Sequence, residues 1–163
     1  MQINVRAVNK ARDFLIKNKR TIAVAESVTS GNIQAALARA KDASKFFQGG
    51  ITAYNLGHKT RHLGIDPVHA LECNCVSEIV AEQMAKKICD LFLADFGIGI
   101  TGFASLAPEE NIHELFAYIS IANKEKILIT QRITPRKSTA YQVQLFYTNE
   151  AIRMLNLMMA TKV

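Results

Sequence analysis

The apolar residues Val8, Ala11, Phe14 and Leu15 recur at steps of three and four, which places them on one face of an N-terminal helix. The run from Thr21 to Ala25 has no such period and reads as a short buried strand. It stops at the polar stretch "ESVTSG", after which alanine-rich helical spacing resumes and predicts a helix from about Asn32 to Ala40. "GGITAYN" (Gly49 to Asn55) carries β-branched and aromatic residues behind a glycine pair, the pattern of a second strand. Short helical material is predicted across "LGHKTRHLG". Ser77 is a good N-cap for a long helix with the apolar stripe Val80, Met84, Ile88 and Leu91. "FGIGITG" (Phe96 to Gly102) reads as a third strand running into a glycine turn. "ELFAYISIA" and "KILITQRI" flank "NKEK" as a hairpin, and a last helix from about Ser138 carries Val143, Tyr147, Ala151, Met154 and Met158.

Strands alternating with helices, plus one hairpin, define the fold class as α/β: a single three-layer domain over 1–163, with a mixed central sheet flanked by helices. No linker, repeat or low-complexity stretch interrupts it. Apolar residues make up 49% of the chain and charges are mixed along it, which excludes a disordered polymer. No apolar run reaches the roughly 18 residues of a bilayer span, and "MQINVRAVNKARDFL" lacks a signal peptide's apolar core, so a cytoplasmic protein is expected, with no membrane partner. Cys73, Cys75 and Cys89 fit neither a disulfide framework nor a zinc spacing and are read as reduced thiols. The net charge of +6 gathers partly at "KNKR" and "TPRKS" without interleaved aromatics. A small phosphorylated ligand satisfies such charge as well as nucleic acid does, and nucleic acid is not the expected partner.

Chemistry concentrates where strands end. In open α/β sheets ligands lie beyond the C-terminal ends of the strands, and "ESVTSG", "YNLGHK" and "TGFAS" all fall at such ends. Ser and Thr are preferred N-caps, which accounts for Thr29 or Ser30 as structural residues. Capping does not account for Glu26 followed by Ser27 at the exit from the core. As a nucleophile Ser27 needs a base, because a serine hydroxyl is weak at neutral pH. The candidates are the histidines His58, His62, His69 and His113, or Lys59, whose amine could accept a proton if desolvated.

"AESVTSG" (Ala25 to Gly31), "GGITAYNLGHKTRHLGI" (Gly49 to Ile65), "VSEIVAEQMA" (Val76 to Ala85) and "IGITGFAS" (Ile98 to Ser105) together resemble, in order and spacing, the C-terminal domain family of competence/damage-inducible protein A (CinA). The likeness runs from about Val8 to Leu155. It implies nicotinamide-nucleotide amidase activity: hydrolysis of the carboxamide of nicotinamide mononucleotide to nicotinate mononucleotide and ammonia, with no metal or organic cofactor. The implied catalytic residues are Ser27 as nucleophile, Lys59 as base and Tyr54 as its helper. Backbone N–H groups around Thr29, Ser30 and Gly31 are expected at the oxyanion, Thr101 and Gly102 at the ligand, and Arg136 at its phosphate. A pyridine mononucleotide and further copies of the chain are the expected partners. Larger family members also carry a molybdopterin-binding-like domain, which these residues do not contain, and its pyrophosphatase activity is not expected of them.

The chain departs from the family at ligand-facing positions. Val28 stands for a cysteine, Ser30 and Ser105 for glycines, Leu106 for a proline, and "APEENIHE" for a glycine-rich loop. Glycines there would let a phosphate or sugar approach the backbone closely, so weaker ligand binding is expected. The rival to an enzyme is a catalytically reduced relative that only binds a nucleotide-like ligand or a protein partner.

Overall fold

The structure, a computed structural model, describes residues 1–161. Five strands form one sheet: β1 (Ile22–Glu26), β2 (Phe47–Thr52), β3 (Phe96–Gly102), β4 (Ala117–Asn123) and β5 (Ile127–Ile133), in the order β2-β1-β3-β4-β5. β1 runs parallel to both of its neighbours, and β4 and β5 continue antiparallel, so the sheet is mixed as expected. Side chains alternate across β1. Ile22 and Val24 join the core under α1 (Val5–Lys17), α2 (Asn32–Ala38) and α6 (Ala140–Ala160). Ala23 and Ala25 face α3 (Leu56–Leu63), α4 (Pro67–Glu72) and α5 (Glu78–Leu91) on the opposite side. The result is an α/β fold of three layers.

The two faces are packed differently. The α1/α2/α6 face is filled by large residues, among them Leu15, Ile33, Leu37 and the fully buried Tyr147. On the other face α5 lies almost directly on β3. A Cβ on Gly97 would collide with the Ala85 carbonyl oxygen, and one on Gly99 with that of Ala81. Those glycines are therefore contact surface for a helix rather than turn residues. The helix they admit is capped as the sequence predicts, with the Ser77 hydroxyl accepting from the N–H of Val80 at 3.1 Å.

Two local expectations shift, and one short helix was not foreseen. β2 begins at Phe47 and ends at Thr52, because Phe47 pairs with Ile22 at the start of β1; Tyr54 and Asn55 lie beyond the strand. Leu91 is 50% exposed, since the inward positions in the last turn of α5 are Ile88 and Cys89. The helix α4 has only six residues, too few for a periodic signal, and is set by an Asp66 cap on Val68 with Pro67 in its first turn.

Gly99→Ala is expected to cost about 1–3 kcal/mol by forcing α5 off the sheet, while Gly57→Ala, whose Cβ would meet only the Asn55 side chain at 3.5 Å, is expected to be near neutral. Urea unfolding of both variants measures the difference.

Candidate active site

The chain leaves β1 through α2 on one face of the sheet to reach β2, and returns through α3, α4 and α5 on the other face to reach β3. The connections diverge above the C-terminal end of β1, the place where open α/β sheets hold ligands. Ser27 sits there, one residue past the strand, with Thr101 close to the end of neighbouring β3.

Glu26 organises the turn that carries Ser27. Its side chain is fully buried, and its carboxylate accepts four hydrogen bonds: from the Thr29 hydroxyl at 2.6 Å, and from the N–H groups of Gly31 (3.1 Å), Ile33 (3.1 Å) and Gln34 (2.8 Å). Gly31 precedes α2 and has no side chain to cap it, so an acid reached back from β1 fills that role. The acid at the strand exit is thus a helix cap, and the Thr29 hydroxyl serves it. The expectation that N–H groups around Thr29 to Gly31 face a ligand is corrected for Ser30 and Gly31 by these contacts. Gly31 gives its N–H to Glu26, Ser30 gives its own to the Ser27 carbonyl, and Asn32 to that of Thr29. Ser30 is exposed at φ +51°, so a glycine suits this position for its left-handed backbone.

Lys59 projects from α3, whose first turn is capped by Asn55. Its side chain is only 1% exposed, and its Nζ lies 2.8 Å from Ser27 Oγ and 3.4 Å from the Tyr54 carbonyl oxygen. No carboxylate pairs with it among the described residues. Burial pushes the amine below the ordinary lysine range, and a Cys75 thiolate would act the other way. Burial in turn raises the Cys75 thiol, an effect that Lys59 partly offsets. The folded amine therefore binds fewer protons than the unfolded one between their two pKa values. Its contribution to stability rises with pH through that window and is lost again as pH falls.

A cavity of about 540 Å³ opens over this pair. Ser27, Val28, Lys59, Thr101, Gly102 and Phe103 line it, together with Tyr54 at the rim. Tyr54 meets Lys59 through its carbonyl, while its side chain is 69% exposed, so the phenol does not assist the amine in this arrangement. Thr101 donates its hydroxyl to the Cys75 carbonyl at 2.8 Å and holds the loop before α5 against the cavity. Arg136 does not reach the site. It lines a separate cleft with Met1, Lys137 and Phe146, because the opening turns of α6 stand between the two hollows: Ala140 and Gln144 face one, Gln142 and Val143 the other.

Cys75, Glu110 and Gln144 also line the cavity and were not foreseen. Cys75 is brought in by the Thr101 contact, and Gln144 by its 3.4 Å hydrogen bond to the Ser30 hydroxyl. Neither partner is marked by sequence spacing. The three cysteines are free thiols, and no helix among the described residues is long and apolar enough to cross a membrane.

The sequence profile of the CinA C-terminal domain matches residues 5–159, nearly all of the described chain. The chain belongs to the CinA C-terminal domain family. This CinA domain is 40% identical over 115 residues to a competence-damage inducible protein of Streptococcus agalactiae, covering 71% of this chain and 27% of that protein. It is 41% identical over 99 residues to a CinA-like protein of Picosynechococcus, covering 61% of this chain and 24% of that protein. The CinA domain thus spans about a quarter of the length of these relatives. Its fold matches a CinA superfamily protein from Klebsiella pneumoniae with a TM-score of 0.91 at 24% identity, over 98% of this chain and 99% of that one. A superfamily protein from Escherichia coli matches with a TM-score of 0.83, also at 24% identity, over 96% and 99%.

Glu26→Gln replaces one acceptor oxygen with an amide that must face N–H donors. It is expected to cost about 1–3 kcal/mol in urea unfolding, with hydrogen-exchange protection falling first at Gly31, Ile33 and Gln34, whose N–H groups the carboxylate now holds.

Proposed function

We propose that this CinA domain is a serine–lysine amidohydrolase that converts the carboxamide of nicotinamide mononucleotide to the acid, releasing ammonia. The observation that carries this reading is the buried Lys59 amine 2.8 Å from Ser27 Oγ, with no carboxylate paired to it among the described residues. A neutral amine there accepts the Ser27 proton as Oγ bonds to the carboxamide carbon. The carbonyl oxygen then carries the negative charge. The turn's remaining N–H groups, those of Val28 and Thr29, are the donors nearest the nucleophile along the chain and the candidates to hold it. The Lys59 ammonium returns its proton to the leaving nitrogen, ammonia departs, and an acyl ester remains on Ser27. Water, deprotonated by the same amine, attacks that ester; the acid leaves and Ser27 regains its proton.

A pyridinium ring suits this base. Its positive charge next to the amine disfavours the ammonium form and keeps Lys59 able to accept a proton. The buried amine also supports an enzyme over the rival reading of a relative that only binds. Desolvating a lysine without a counter-charge costs folding stability, and an apolar side chain would fill the space at less cost. A binding module has no use for the penalty.

Ser27→Ala is expected to lower the rate of ammonia release from nicotinamide mononucleotide at least ~100-fold. Lys59→Arg is expected to be nearly as inactive as Lys59→Ala, because guanidinium cannot act as a base at working pH. In the unaltered protein, kcat/KM should rise with pH through a midpoint below the ordinary lysine range. Substantial activity in Lys59→Arg would leave Lys59 as a positive charge only and remove the mechanism.

A further inference from the structure

We infer that the site is built for an N-substituted pyridinium carboxamide without a phosphate, such as nicotinamide riboside, and gives the phosphate of a mononucleotide no favourable seat. This rests on the amidohydrolase reading above, keeps its reaction, and moves the preferred substrate from the mononucleotide to the riboside. Two devices could have bound a phosphate, and both are accounted for elsewhere. Arg136 lines a different cleft, and the N–H groups at the start of α2 are taken by the Glu26 carboxylate. Lys59 is spent on Ser27 at the reacting end of the cavity, which is where the carboxamide must lie and not the phosphate.

The outer wall has the opposite sign. Glu110 lines the cavity from a 3-10 turn, Pro108–Glu110. The loop carrying it is closed on itself by two main-chain hydrogen bonds of 3.0 Å between Ala107 and Ile112, and Ile112 is buried, which keeps the residue at the cavity wall with its side chain exposed. A second hollow of about 470 Å³ shares Glu110 with the cavity and adds Glu72, Glu114 and His113. Glu114 is paired with Arg132 at 2.8 Å. Although the chain has a net charge of +6, Glu110 and Lys59 are the charged residues that line the cavity, with no arginine and no second lysine beside them among the described residues. Carboxylates attract a pyridinium cation and repel a phosphate dianion, and the effect is strongest where the walls limit water. The loop that replaces a glycine-rich one carries this acid, so its altered sequence amounts to a changed preference.

The test is calorimetric, on the Ser27→Ala protein, with nicotinamide riboside and nicotinamide mononucleotide as ligands. The riboside is expected to bind at least as tightly as the mononucleotide. Glu110→Lys in the same background should shift the ratio of the two dissociation constants at least threefold toward the mononucleotide, by reversing the charge at the wall. Tighter binding of the mononucleotide, with the ratio unmoved by Glu110→Lys, would overturn the inference while leaving the amidohydrolase reading standing if the unaltered protein releases ammonia from it. Failure of both ligands to bind would overturn the two together.

Discussion

Placing a lysine amine at 1% exposure, with a serine hydroxyl and a carbonyl oxygen as its hydrogen-bond partners among the described residues, sets the terms for the whole site. The ammonium loses its hydration there and gains no counter-charge, so the neutral amine is favoured. Everything nearby serves to keep that amine dry and aimed. α3 is packed through Leu63 against α5, and Asn55 fixes its first turn. Gly97 and Gly99 let α5 close against β3 and carry the Cys73 to Val76 loop up to the cavity wall, where Thr101 pins it.

The partner of the amine must be equally well held, and Glu26 does this. A carboxylate with four donors cannot swing, and through Thr29, Gly31, Ile33 and Gln34 it ties the turn bearing Ser27 to the helix that follows. One residue thereby settles two questions: how α2 is capped without a capping side chain, and why the turn carries so many hydroxyls. The same contacts close the helix terminus to outside anions. In the proposed reading, substrate recognition falls instead to the part of the cavity wall where Glu110 stands.

Much of the fold was legible because it follows from period. The helical stripes of α1, α5 and α6 and the unbroken run of β1 are local patterns, and the hairpin was marked by its polar turn. Register was not legible, which is why β2 starts earlier than expected, at Phe47, and Tyr54 falls past its end. In the site, Ser27 and Lys59 were found as residues, through their place at strand ends and the family resemblance. Their contact spans 32 positions along the chain and only the crossover through both layers creates it. Glu26 looked anomalous because its partners are main-chain N–H groups, which no side-chain pattern records. Arg136 was misplaced because α6 divides the space between it and Ser27, a fact of tertiary geometry that residue type does not carry.

The state of the Lys59 amine can be read directly by nuclear magnetic resonance, with lysine labelled at Cε and the signals followed as pH is raised. One signal, absent from Lys59→Met, is expected to titrate well below the others, in the direction that burial imposes on this amine. If every lysine signal titrates together near the ordinary value of about 10.4, the amine is charged at working pH, and Ser27 has no base.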